Sequence, residues 1–220
     1  VLFALEKASK RNIEIELKTY DTNNDKYQIK KIIDSEVLKD LDLLIGPLIT
    51  TNFDFISNEP SLKNIPKIAP LSSRSVKFRK NVFQSVTSEN DYRNKMYEYL
   101  ETKLDSTQNI IIVADHLNHR IEKELQDRFP WAIKIRPEKT DYIIPELVDS
   151  LLIDSIPNKV ILETQSFPLI ASAISQFNAQ NTRDRDVQLF TTYRSNAYDN
   201  DNLSRKVLGG LHFTYSAGSK

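Results

Sequence analysis

Two groups of hydroxyl side chains follow short apolar segments of this chain and could bind a polar ligand. The apolar segments are LDLLIGPLIT (41–50), interrupted at Gly46-Pro47, and PKIA (66–69); the hydroxyl groups after them belong to Thr50 and Thr51, and to Ser72, Ser73 and Ser75. If both segments are parallel strands, their loops open at the same carboxyl edge of one sheet, where open α/β sheets bind ligands. Hydroxyls ahead of a helix N-terminus suit an anionic or polar group. The sequence therefore predicts a binding site before any catalytic chemistry.

Each of these residues also has a purely structural interpretation. Loop serines often satisfy backbone groups or cap a helix, and Asp115, which follows the apolar run NIIIVA, could line a site or cap the next helix. His116 and His119 lie three residues apart, but two histidines without a third ligand are weak grounds for a metal site. A basic group beside the serines could be a solvated surface or an anion trap; it consists of Arg74, Lys77, Arg79 and Lys80.

Catalysis has little support in the sequence. The chain has no G-x-S-x-G, G-x-x-x-x-G-K-[ST] or G-x-G-x-x-G motif, and its four glycines leave little material for a nucleotide loop. It contains no cysteine, which excludes disulfides, thiolate nucleophiles and cysteine metal sites. We therefore expect a protein that is not an enzyme and that has neither a cofactor nor a metal.

The composition is that of an ordinary globular protein. Among 220 residues, 30 basic and 30 acidic side chains balance, so no overall field attracts nucleic acid or anionic membranes. No apolar stretch approaches the roughly 20 residues of a membrane-spanning helix. The opening VLFALEKASK carries charges too early for a signal peptide and lacks an initiator Met, so we expect an excerpt of a longer chain.

Apolar runs alternate with segments of helical period, which predicts parallel βαβ units. We expect two α/β lobes, over residues 1–88 and 89–216, with 217–220 starting a return crossing or forming a disordered end. The predicted helices cover 1–10, 27–38, 52–58, 89–104, 118–128, 144–152 and 167–178. The predicted strands cover 13–20, 41–45, a short strand at 68, 81–85, 109–114, 131–135, 159–162, 187–190 and 211–215.

The order of these pieces resembles the type I periplasmic binding proteins, the group that contains the branched-chain amino-acid receptors. The similarity lies in the turn DTNND before a helix, the IGP of LDLLIGPLIT, PKIAPLSS, the crossing segment NVFQSVTSEND, and later NIIIVADHLNH, VILETQSFPLIASAISQF and VLGGLHFTYSA. That family has a strand before the helix that opens this chain and a long return into the first lobe. The resemblance therefore implies a first lobe that is incomplete in this sequence.

The resemblance also implies where a ligand would bind. Receptors of the family hold amino acids with the serine loop, here Ser72, Ser73 and Ser75, and with the loop that here runs from Asp115 through Asn118. The acidic residue that usually pairs with the ligand ammonium is replaced by Tyr193 and Arg194. A cation there would repel an amino group, so an anionic or sugar-like ligand, or a protein partner, fits better than a free amino acid.

Two functions follow from the resemblance. The first is a solute-binding receptor of the bacterial cell envelope, periplasmic or on the cell surface, which closes around a small polar molecule such as an amino acid, a carboxylate or a sugar, as the receptors of transporters do. The second is a module that has lost its ligand and interacts with an envelope protein, as in regulators of cell-wall synthases that share the architecture. A peptidoglycan-binding module could lie outside this sequence.

Overall fold

The computed structural model describes residues 2–35, 37–137 and 142–217. Contacts within the chain divide it into unit 1, residues 1–86, and unit 2, residues 87–220. Both units contain a parallel sheet with helices beside it, so the predicted α/β class is confirmed. The predicted crossing or disordered end at 217–220 lies, apart from residue 217, outside the described residues. No helix in the described ranges is both long and apolar enough to cross a membrane.

Unit 1 contains a three-stranded sheet in the order β1-β2-β3, with every pair parallel. Its elements are α1 (Leu2–Ser9), α2 (Lys26–Asp34), β1 (Leu44–Ile45), α3 (Thr50–Ser57), a 3-10 turn (Pro60–Leu62), β2 (Lys67–Ala69) and β3 (Val82–Gln84). The acidic turn acts as predicted, because the carboxylate of Asp25 caps α2 by accepting a hydrogen bond from the amide of Tyr27. The Gly46-Pro47 peptide is cis, and Gly46 has a φ of 94°, a left-handed conformation that suits glycine.

The predicted strand at residues 13–20 is wrong. The segment has no regular secondary structure, and its alternating apolar side chains stay half-exposed: Ile13 at 53%, Ile15 at 50% and Leu17 at 51%. Alternation gives a segment one apolar face, but a strand also needs a neighbour to receive its backbone hydrogen bonds. In the described part of unit 1, the pairing of β1, β2 and β3 does not include this segment.

Unit 2 alternates strands and helices more regularly. Its elements are α4 (Glu89–Lys103), β4 (Asn109–Ala114), a 3-10 turn (His116–Asn118), α5 (His119–Arg128), β5 (Ile133–Ile135), α6 (Pro145–Leu151), β6 (Asn158–Glu163), α7 (Phe167–Gln180), β7 (Val187–Phe190), a 3-10 turn (Asn196–Asp199) and α8 (Arg205–Gly210). The strands form one parallel sheet in the order β5-β4-β6-β7.

The sheet of unit 2 is covered on both faces, which explains why its central strands are continuously apolar. Along β4, Ile111 and Val113 join a core that includes Val148 of α6 and residues of α7. The alternate residues, Ile110 and Ile112, join a second core with residues of α4 and α5. Unit 2 is therefore a three-layer structure in which β4 and β6 are central strands.

The predicted strand at 211–215 is also wrong. Helix α8, which the sequence analysis did not predict, ends at Gly210, and the chain then runs beside β7 with a single parallel bridge between Phe190 and Thr214. The bridge consists of the bonds from Thr214 N to Leu189 O and from Thr191 N to Thr214 O, and one further bond, from Leu189 N to Leu211 O, fixes this course. The segment thus lies along β7 without forming a full strand.

Candidate functional site

Unit 1 brings the two predicted hydroxyl groups together at one sheet edge. Because β1 and β2 are adjacent and parallel, the loops that follow them leave the sheet on the same side. The Oγ1 of Thr50 lies 2.9 Å from the Oγ of Ser72, and both residues are half-buried. The prediction that these loops share an edge is correct.

The serine loop is held by side chains from β3 and the residue after it. The Nε2 of Gln84 donates to the carbonyls of Ser72, at 2.7 Å, and Arg74, at 3.0 Å. The Oγ of Ser85 accepts from the amide of Leu71, which has a φ of 58°. The loop is therefore shaped by hydrogen bonds within unit 1.

Not every serine of the loop is placed in the same way. Ser72 accepts a bond from the amide of Arg74, so part of its function is the turn-forming one that the sequence left open. Ser73 is half-buried and Ser75 is exposed. Helix α3 begins next to Ser72, and its N-cap residue, Ile49, provides no side-chain cap.

In unit 2, the carboxylate of Asp115 acts as a helix cap. Its Oδ1 accepts from the amides of Leu117, at 3.0 Å, and Asn118, at 3.1 Å, and from the side-chain Nδ2 of Asn118 at 2.8 Å. Its Oδ2 accepts from the hydroxyl of Thr164 at 2.5 Å. Of the two interpretations left open for Asp115, the contacts are those of a cap, and only 6% of the residue is exposed.

The two histidines of the same loop do not belong to a metal-binding group among the described residues. Within residues 2–35, 37–137 and 142–217, no group of three or more His, Cys, Asp or Glu side chains is arranged to hold a metal ion. His116 lies in the 3-10 turn, and His119 begins α5.

The centre of the carboxyl edge is occupied by an ion pair that the sequence analysis did not identify. Arg93, from the first turns of α4, donates from Nη1 to Oε2 of Glu163 at the end of β6, at 2.7 Å. The same guanidinium donates to Oε1 of Glu89, with its Nη2 at 2.7 Å, and to the hydroxyl of Thr192. Glu163 in turn accepts from the amide of Thr192 at 2.5 Å.

Burial governs the electrostatics of this pair. Only 5% of the Arg93 side chain and 2% of the Glu163 side chain are exposed. Burial raises the pKa of Glu163, against the opposing effects of the Arg93 charge and the Thr192 amide. For Arg93, burial alone would lower the pKa, but the carboxylates of Glu163 and Glu89 outweigh it, so the pKa is raised and the guanidinium stays charged.

Tyr193 and Arg194 face different neighbours. The Tyr193 ring lies 5.4 Å from the Arg93 guanidinium carbon and 6.3 Å from the Tyr92 ring. Arg194 forms an ion pair with Asp199 and lies over the ring of Tyr215 at 5.2 Å. The hydrogen bond from Arg194 lowers the pKa of Asp199.

Most of the predicted residues have partners within their own unit. Thr50 and Ser72 meet in unit 1, and Asp115 and Asn118 bond to each other in unit 2, while Tyr193 stacks on Arg93 and Arg194 pairs with Asp199. The signal that could have found the ion pair is Glu163, a carboxylate that ends the apolar run of β6. Arg93 has no comparable signal, since it is one of several charged residues in α4.

Comparisons with known proteins give little beyond this geometry. No protein-family model and no curated protein matches the chain. Among solved structures, Haemophilus influenzae LpoA is similar, with 14% sequence identity and a TM-score of 0.48 over 83% of this chain and 33% of LpoA. The chain spans about a third of the length of that protein.

Proposed function

We propose that this chain is a non-catalytic binding module of the bacterial cell envelope, and that it acts by contacting another protein. The envelope setting rests on the resemblance to periplasmic binding proteins. The observation that carries the choice of a protein partner is the position of Arg93. Its guanidinium fills the carboxyl edge of the unit 2 sheet, where the resemblance would lead one to expect a ligand.

The polar groups around that edge bond to one another. Asp115 caps its own loop, and Glu163 binds both Arg93 and the amide of Thr192. A polar ligand at this edge would have to displace Arg93 from Glu163 and Glu89, and an unpaired buried charge costs several kcal/mol. This arrangement favours a site that has been closed by the chain's own side chains.

Unit 1 offers surface for a protein contact. The side chains of Ile13, Ile15 and Leu17 are each about half-exposed and alternate along one segment. Exposed large apolar side chains that cluster on a surface are typical of interaction sites, and these three lie within five residues of the chain. They give a protein partner an apolar area that a small polar solute would not use.

Thermal unfolding in the presence of amino acids, sugars and muropeptide fragments tests the proposal. A receptor with micromolar affinity would gain roughly 4 kcal/mol at millimolar ligand, whereas for the interaction module we expect no stabilisation that depends on Ser72. A rise in the unfolding temperature that Ser72→Ala abolishes would overturn the proposal. The positive test is saturable binding of the whole chain to an isolated envelope protein fraction, undiminished by excess free amino acid and lost on Ile15→Asp.

A second candidate function rests on Thr50 and Ser72. Their hydroxyls, 2.9 Å apart beside an uncapped helix start, could bind a polar or anionic solute at unit 1 alone. Thr50→Val together with Ser72→Ala should then remove any stabilisation found in the screen. Exposed Ser61→Ala provides the matched control, because its hydroxyl donates only to the nearby Glu59.

A further inference from the structure

A groove of about 280 Å³ lies in unit 2 between the loop after β7 and helix α8. Its lining brings together two guanidinium groups, an imidazole and two aromatic rings from a short stretch of the chain: Arg194, Arg205, His212, Phe213 and Tyr215. A hollow lined by apolar rings with a few convergent polar groups has the general character of a small-molecule site.

The charged side of the groove is positive. Arg205 is exposed and donates from Nη1 to the carbonyl of Tyr198 at 2.6 Å. A guanidinium carries five N–H donors in a planar fork, so this one bond leaves others for a ligand. Arg194 is held by Asp199 at the edge of the same hollow.

The contacts of Asp199 show how a carboxylate binds beside this groove. The Asp199 carboxylate accepts bonds from both Nη1 and Nη2 of Arg194, which is the paired geometry that guanidinium groups use for oxyanions. The Arg194 hydrogen bond and then the charges of Arg194 and Arg205 lower the pKa of Asp199, so both cations act on the same place. An oxyanion entering the groove would meet the other N–H groups of Arg194 and those of Arg205, and it would compete with Asp199.

The other side of the groove is formed by aromatic rings. The rings of Phe213 and Tyr215 lie 5.2 Å apart, and Phe213 stacks on the buried Tyr198 at 4.9 Å. Arg194 lies over Tyr215, which fixes the guanidinium beside the aromatic surface. A ligand with a planar or apolar body can therefore contact the rings while its charged group contacts the arginines.

We propose that this groove binds a small organic anion, with its oxyanion group between Arg194 and Arg205 and its apolar body against Phe213 and Tyr215. The inference is independent of the proposed function, because it uses a different part of unit 2 from the Arg93 site. The groove would give the module a ligand-dependent surface whether its main partner is a protein or a solute.

A larger side chain at Gly209 would fill the groove. Gly209 lines the hollow, and a Cβ added there would meet no atom within 4 Å, so a larger side chain fits without backbone strain. The next residue, Gly210, is a matched control on the same helix, since its Cβ would meet only Asn178 Oδ1 at 4.0 Å and it does not line the groove.

The test is titration of the whole chain with benzoate and with phenyl phosphate, followed by NMR shifts or calorimetry, with benzyl alcohol as the neutral probe. We expect the anions to bind and benzyl alcohol not to bind. Preference between the two anions distinguishes a carboxylate ligand from a phosphate ligand. Equal binding of benzyl alcohol, or binding of none of the three probes, would overturn the inference.

The variants separate this site from general charge effects. Gly209→Glu should abolish anion binding, whereas Gly210→Glu, with the same change of charge, should leave it within about twofold of the original. Arg205→Gln should weaken binding on the order of tenfold. Asp199→Asn, which removes the internal competitor of Arg194, should strengthen it; equal affinities in Gly209→Glu, Asp199→Asn and the original chain would refute the site.

Discussion

The guanidinium of Arg93 and the carboxylate of Glu163 lie 2.7 Å apart in the interior of unit 2, although 70 residues separate them in the sequence. Removing one member of a buried pair leaves the other as an uncompensated charge. The pair therefore couples the stability of α4 to that of β6. It is the first contact to test by substitution.

Glu163→Gln should lower the free energy of unfolding by about 3 to 5 kcal/mol, because it leaves Arg93 buried without its main partner. Adding Arg93→Met to this variant should recover at least half of that loss. Urea unfolding of the single and double variants measures both values. The exposed pair of Glu6 and Lys10 is the control, and Glu6→Gln should change stability by less than about 1 kcal/mol.

Lys67 should make stability rise with pH. Its side chain is buried, its Nζ donates to the carbonyls of Leu62 and Ile65, and burial lowers its pKa. Between this lowered value and the unfolded value of about 10.4, the unfolded chain binds more protons, so stability rises as pH rises. In urea unfolding, the stability of the original chain relative to Lys67→Met should increase toward pH 10. A difference in stability that does not change with pH would contradict this. The control Lys63→Met, at an exposed position, should differ from the original chain by an amount that does not depend on pH.

Glu122 should contribute stability that is lost in acid. Arg136 donates to both of its carboxylate oxygens, with Nη2 to Oε1 at 2.6 Å, and this hydrogen bonding lowers the pKa of Glu122. A lowered carboxyl pKa stabilises the fold above the unfolded value of about 4.3, and this stability disappears as pH falls through the folded value. Glu122→Gln should therefore flatten the decline of stability below about pH 5, whereas exposed Glu98→Gln should retain it.

Asn158 should be essential for the start of β6. Its fully buried side chain accepts from the Nδ2 of Asn109 at 2.7 Å and from the amide of Ile153, and it donates to the carbonyls of Ile153 and Ile156. Asn158→Ala should cost about 3 kcal/mol or more, because several buried groups lose their partners together. Thermal unfolding measures the loss, and the exposed control Asn202→Ala should stay within about 0.5 kcal/mol.

The strands could be predicted best where burial alone decides the structure. The runs at 109–114 and 187–190 are apolar because both faces of the sheet are covered, and the observed β4 and β7 have the predicted bounds. Residues 13–20 have an equally clear alternation, but alternation describes one segment, whereas a strand also depends on a neighbour elsewhere in the chain. Helix α8 is only six residues long and was missed for lack of a periodic pattern.

In the candidate site, too, the features that depend on neighbouring residues could be predicted better than those that depend on distant segments. Thr50 and Ser72 could be placed at one edge because each comes directly after its strand, and adjacent parallel strands bring such loops together. The cap formed by Asp115 was one of its two predicted roles, because its partners lie two and three residues away. The partners of Arg194 and Glu163 could not be predicted, since they are chosen by the course of a loop and by the packing of segments far apart. The groove at Gly209 could not be found either, because it depends on how the chain turns after α8.

The strands of unit 2 lie in the sheet in a different order from that in the chain, which limits when each pair can form as the chain is made. The strand made first, β4, can pair with β5 once α5 and β5 have both been made, but its other neighbour, β6, is made later. Arg93 precedes all four strands and can pair with Glu89 in its own helix, but its other carboxylate, that of Glu163, comes 70 residues later in the chain. The ion pair with Glu163 can therefore form only after β6 has been made, and it then joins the end of β6 to the first turns of α4.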